Sequence, residues 1–135
     1  MTGFAAESLQ NALYVKLTTD AGLMASLSGI FDHVPEGSPL PYITLAEGNI
    51  RDWSSKSHQG QEHLFDIHLW SDKVGGKEIR EMADQVNGLL DNAALNLTGH
   101  QLVSLRFVFF ENFFDAEGRV RHGIMRFRAR TMSTI

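Results

Sequence analysis

The chain has 135 residues, 43% of them apolar and 21% charged, with a formal net charge of −4; this is the composition of an ordinary folded protein, and the length predicts one domain spanning 1–135 that buries roughly two-thirds of its unfolded surface. The longest unbroken apolar runs, 12–15 and 107–110, are four residues each, whereas a membrane-spanning helix needs about twenty, so no membrane contact is expected; no secretory signal pattern is expected either, since no positive charge precedes Lys16. Cysteine is absent, which excludes disulfides, thiolate catalysis and cysteine-ligated metals, and the negative balance gives the chain as a whole no electrostatic case for binding nucleic acid.

The first predicted element is a helix in which Leu9, Ala12, Leu13, Lys16 and Leu17 recur at three- and four-residue steps, with Phe4 and Ala5 one turn earlier. Thr19 and Asp20 are placed to cap a short second helix carrying Leu23, Met24 and Leu27, and Gly29 stands where a left-handed stop is expected. All three prolines fall between positions 31 and 41 and end the helical reading. A strand follows over about 42–47, and then the polar stretch RDWSSKSHQGQ (51–61), read as an extended loop because it is too long and hydrophilic for a tight hairpin. Over 62–70, His63, Phe65, Ile67 and Leu69 alternate with Glu62, Leu64, Asp66, His68 and Trp70, which is strand periodicity. Gly75 and Gly76 precede a long helix over about 77–93, with Ile79, Met82, Ala83, Val86, Leu89 and Leu90 on one face. A strand over 102–110 alternates Val103, Leu105, Phe107 and Phe109; DAEG (115–118) reads as a hairpin turn, and the last strand runs over 119–131. The fold class is therefore α+β: an antiparallel sheet of four to five strands packed with two main helices.

Chemical motifs are few. Six histidines invite a search for a metal site, but His63 and His68 face opposite sides of one strand. Asp66 and His68 share a face and could seed a metal site or an acid–base pair; a polar stripe is the favoured reading because a site needs further convergent ligands. His33, His58, His100 and His122 lie in or near loops without partner spacing, and VGGKE (74–78) lacks the spacing of a phosphate loop. No catalytic, cofactor-binding or metal residues are assigned, and the protein is read as no enzyme.

Charge is distributed unevenly. Residues 1–105 hold 6 basic and 13 acidic groups, while residues 106–135 hold 6 arginines and 3 acids, an asymmetry suited to a protein whose two sides meet different partners. In RVRHGIMRFRAR (119–130), Arg126, Arg128 and Arg130 should project from one face of a strand and Met125, Phe127 and Ala129 from the other. Three arginines in register repel one another, so the stripe is read as a subunit or partner contact in preference to a solvated face paired with local acids such as Glu111. Trp53, in a polar loop, and Phe113 and Phe114, beside the hairpin turn, are the other candidate interface residues.

The order of the segments TTDAGL (18–23), FDHVPEG (31–37), LPYITL (40–45), RDWSSK (51–56), HLWS (68–71), GHQLVSLRF (99–107) and RHGIMRFRA (121–129) resembles the tail-terminator, or tail-completion, proteins of long-tailed phages and phage-like gene transfer agents, the gene transfer agent members above all. The resemblance covers nearly the whole chain. It implies an α+β subunit of a six-membered homo-oligomeric ring at the head-proximal end of the tail tube, assembled in the bacterial cytoplasm and carried in the virion or particle. Its implied partners are the tail tube protein and the head-side connector, with DNA passing through the channel unread; it implies no cofactor. The matching positions Pro41, Tyr42, Trp53, Trp70 and Arg126 to Arg128 are then structural or interfacial. A globule of this length has a radius of gyration of about 14 Å and cannot enclose a duplex by itself, so a channel requires a ring built on two different complementary surfaces. The competing readings are a connector or adaptor of the neck, a small-molecule-binding or enzymatic α+β domain using Asp66 and His68, and a nucleic-acid module using the arginine strand.

Overall fold

The computed structural model describes residues 3–134. Helix α1 (Ala6–Thr18) buries Leu9, Leu13 and Leu17 at four-residue steps, while Tyr14 and Val15 on its far side are exposed. Its start is tied to the sheet by the Ala5 amide, which donates to Gln61 Oε1 at 2.9 Å. The hydroxyls of Thr18 and Thr19 donate back to the carbonyls of Tyr14 and Val15 at 2.7 Å and end the helix. Asp20 alone caps the one-turn α2 (Ala21–Met24), its Oδ2 accepting from the Leu23 amide at 2.8 Å. Gly29 is not the left-handed stop expected of it: the positive-φ glycines are Gly37 and Gly99. Gly29 is instead buried under its neighbour, since an added Cβ would lie 2.5 Å from the Phe31 ring.

Five strands form one sheet in the order β1-β2-β3-β5-β4: β1 (Ile30–Phe31), β2 (Tyr42–Asp52), β3 (Gly60–Ser71), β4 (His100–Asp115) and β5 (Val120–Ser133). The sheet is mixed, because the two-residue β1 runs parallel to β2 while every other pair is antiparallel. β2 and β3 are longer than their apolar patterns suggested. They continue into the polar stretch and leave a hairpin loop at 53–59, closed by the Trp53 amide donating to the Gly60 carbonyl at 2.9 Å. Backbone pairing tolerates polar side chains on an exposed strand end, so hydrophilicity was a poor guide to where the ladder stops. The alternation expected of β4 also fails. Register shifts between Leu102 and Ser104 and between Phe107 and Phe109 insert one residue each, so Phe107 pairs with Phe127 and Phe109 with Arg126, on opposite faces.

One face of the sheet is covered by α1 and by α3 (Lys77–Leu90). Ile79, Met82, Ala83, Val86 and Leu90 of α3 meet Ile43, Phe65, Ile67, Leu69, Leu105, Met125, Phe127 and Ala129 in one core. α3 lies directly over Gly123, where a Cβ would sit 3.0 Å from the Phe110 ring and 3.1 Å from Ile79 Cγ1. Phe127, fully buried, stacks on Phe65 and meets the edge of Phe107, each at 5.9 Å between ring centroids. The opposite face of the sheet carries no helix among the described residues, and the arginine stripe of β5 lies on it.

Candidate assembly surface

Burial alternates residue by residue over 63–71 in β3 and 123–131 in β5, and the strand register carries the same alternation to their neighbours, turning Glu62, Leu64, Asp66, His68 and Trp70, together with His122, Ile124, Arg126, Arg128 and Arg130, onto the uncovered face. The arginine stripe is where it was expected, with Met125, Phe127 and Ala129 buried behind it. Two of its three arginines pair with acids of their own chain, though not with Glu111. Arg126 reaches across to β3 and donates to both oxygens of Asp66, at 2.8 and 3.2 Å, and Arg130 donates to Glu62 at 3.0 Å. These hydrogen bonds to Asp66, and then the carboxylate's charge, raise the pKa of Arg126 above its ordinary value, and the charge of Glu111 adds a smaller part. Arg126 also lies 4.8 Å over the Phe109 ring. Arg128 stands between Leu64 and Arg106 in the register and makes no hydrogen bond or ion pair among the described residues, while Arg106 is engaged by Asp91 at 3.3 Å.

Trp53 folds back onto its own chain. Gly60 gives it room, since a Cβ there would meet the Trp53 carbonyl at 2.4 Å and its ring at 3.1 Å, and the indole receives the Arg130 guanidinium at 5.3 Å. Phe113 and Phe114 part company at the hairpin. Phe113 stays 49% exposed on the uncovered face, edge-on to His122 at 5.2 Å, whereas Phe114 pairs across from Arg121 on the helix side. The turn itself is held by Asp115, whose Oδ1 accepts from the amides of Glu117 and Gly118, with Arg119 in the left-handed region.

The upper part of the same face holds a cluster that sequence patterns did not point to. His122 is on β5 rather than in a loop, and its Nε2 lies 2.6 Å from His68 Nδ1. Trp70 stacks on His122 at 3.8 Å and anchors its own Nε1–H on Thr44 Oγ1 at 3.1 Å. Burial lowers the pKa of both imidazoles; Asp66 opposes the shift at His68, and His68 deepens it at His122. The alternation of 119–131 did hold a signal, because it puts His122 on the face of Arg126, but only the strand register brings it to Trp70. Asp66 is hydrogen-bonded to Arg126, while the Nδ1 of His68 faces His122. No three or more histidine or acidic side chains converge on a metal-sized site among the described residues. Nor is any helix there long and apolar enough to cross a membrane.

Residues 11–132 match the family model described as tail completion protein gp17. The tail completion protein gp17 of Bacillus phage SPP1 is 23% identical over 124 residues, which is 92% of each chain. Among solved structures, a chain in the virion of a native gene transfer agent particle superposes with a TM-score of 0.87 and 31% identity, over 98% of this chain and 100% of that one. The structure of bacteriophage SPP1 gp17 superposes with a TM-score of 0.64 and 24% identity, over 93% and 89%, a likeness of fold.

Proposed function

This chain belongs to the tail completion protein gp17 family, a family of structural virion proteins and not of enzymes, and from that premise we propose that it forms a closed ring at the head-proximal end of the tail tube. The ring ends polymerisation of the tube, offers its other side to the head connector, and leaves a channel through which DNA passes without being read. The observation that carries this reading is the near-complete match to a chain of the gene transfer agent virion, which leaves little of either chain unaccounted for. The uncovered sheet face supports it: a surface combining Trp70, Phe113, the two histidines and an Arg128 without a hydrogen bond or ion pair among the described residues has the aromatic and arginine composition of a protein contact. Sliding DNA would be hindered by strong phosphate binding, so pairing Arg126 and Arg130 to acids of their own chain also fits a channel protein. Deleting the gene should leave tube protein that polymerises without length control, with tails overlong or unjoined and heads without tails in electron micrographs. Normal tails on filled heads would sink the reading. Tails of correct length that fail to join heads would instead favour a connector one level nearer the head.

A further inference from the structure

We infer that, in this ring, neighbouring chains join edge to edge, the free end of β4 in one pairing with the free end of β2 in the next. The inference rests on the ring proposed above and names the surfaces that build it. The sheet order puts β2 and β4 toward opposite sides of the chain. β1 covers β2 only at Ile43 and Thr44, so no strand pairs with the outer edge of residues 45–52 among the described residues. The first half of β4 is covered by its own chain: the Asn92 amide donates to the Leu105 carbonyl at 2.7 Å, Asp91 Oδ1 accepts from the Phe107 amide at 2.9 Å, and Asn96 bridges to Gln101. Beyond Phe107 the outer edge of 108–115 has no such cover among the described residues, and Val108 and Phe113 on it are exposed. Unpaired edges of this length are templates for strand addition, and a monomer normally guards them.

Direction and charge both agree with the pairing. Three antiparallel steps separate β2 from β4, so the two run in opposite directions. In a cyclic ring every copy has the same orientation about the axis, and the β4 of one copy therefore meets the β2 of the next antiparallel, the better hydrogen-bonded arrangement. Glu111 on β4 and Arg51 on β2 both project on the uncovered face, and neither makes a hydrogen bond or ion pair within the chain among the described residues. Setting Glu111 opposite Arg51 carries Phe114, on the helix side, to Gly48. Gly48 lines a largely apolar groove of about 170 Å³ between α1 and strands β2 and β3, walled also by Leu9, Leu13, Leu45, Ile50 and Phe65. One register thus sets two charges that lack an ion pair of their own opposite each other, and brings a ring to a groove lined in part by a residue without a side chain.

Residues directly opposite in such a pair have Cβ atoms about 4.5–5.5 Å apart, close enough for cysteines placed there to cross-link with a small adjustment. The chain has no cysteine of its own, so every covalent band is attributable. Particles assembled with the Arg51→Cys/Glu111→Cys variant and then oxidised should give a ladder of covalent oligomers up to the full ring, while each single variant stays monomeric. A dimer from Glu111→Cys alone would set two β4 edges against each other and overturn the inference, as would intact rings that yield no ladder. Charge reversal is independent of the cysteines: Glu111→Arg should weaken ring association about tenfold, and adding Arg51→Glu should restore it. Failure to restore counts against the register. Sedimentation of the native chain, with imaging of particles, separates the two levels: rings without the cross-link refute the edge pairing alone, and absence of any ring refutes the proposed function with it.

Discussion

Arg128→Gln is the most discriminating single change. Arg126 and Arg130 each hold an acid of their own chain, but Arg128 faces Arg106 directly across β4 and β5, with Arg126 and Arg130 two residues away on the same face. Like charges opposite one another in a sheet cost about 0.2–1 kcal/mol. The lower part of that range applies here because Asp91 partly neutralises Arg106. Replacing Arg128 therefore removes a repulsion and no attraction, and the isolated chain should become more stable by a few tenths of a kcal/mol, seen as a higher urea midpoint at unchanged slope and a melting point up to about 3 °C higher. The gain should shrink in high salt. Arg126→Gln should do the opposite, costing about 1 kcal/mol: it leaves Asp66, whose side chain is 20% exposed, without its partner, while the exposure of Arg126 itself keeps the loss small. If Arg128 meets an acidic group of another component, Arg128→Gln particles should assemble poorly despite the sturdier subunit. Normal assembly with impaired DNA delivery would turn Arg128 toward the channel. A stability loss above about 1 kcal/mol would refute the reasoning, since it would mean that Arg128 has a partner within its own chain.

Two glycine substitutions should have opposite signs. Gly48→Ala puts a Cβ 1.7 Å from the Leu64 carbonyl oxygen, so β2 and β3 must separate, and the urea midpoint should fall by the equivalent of about 1–3 kcal/mol or more; Gly88→Ala, on an open side of α3 with nothing within 4 Å, should raise it by about 0.5–1 kcal/mol. The buried His63, hydrogen-bonded to Thr131 Oγ1 at 3.1 Å, has its pKa lowered from 6.5 by burial and then by His100, and His68 and His122 are lowered as well. A base whose folded pKa lies below its unfolded one takes up more protons on unfolding, so these groups leave stability intact above about pH 6.5 and erode it as the pH falls below that value. Melting points measured from pH 8 to 5 should decline over that window, and less steeply in His63→Gln; a flat profile would contradict the assigned burial.

What the sequence determined by itself was everything that depends on local period. The two-residue alternation of β3 and β5 settles which side chains are buried, and so spacing alone assigns Arg126, Arg128 and Arg130 to one face. Leu9, Leu13 and Leu17, and the series Ile79, Met82, Ala83, Val86, identified both main helices for the same reason, since a helix repeats within a few residues. Tertiary structure decided what depends on register between distant strands. Asp66 meets Arg126 across 60 residues of chain, Glu62 meets Arg130 across 68, and His68 meets His122 across 54. No local pattern encodes those distances, because they follow from the pairing of β3 with β5 and not of β3 with β4. The bulges of β4 belong to the same class: a single inserted residue reverses every face beyond it, and the insertion is visible only when the partner strand is present to count against. Which edges of the sheet stay open was decided there too, by a two-residue β1 that stops at Phe31 and a loop that covers β4 only as far as Phe107.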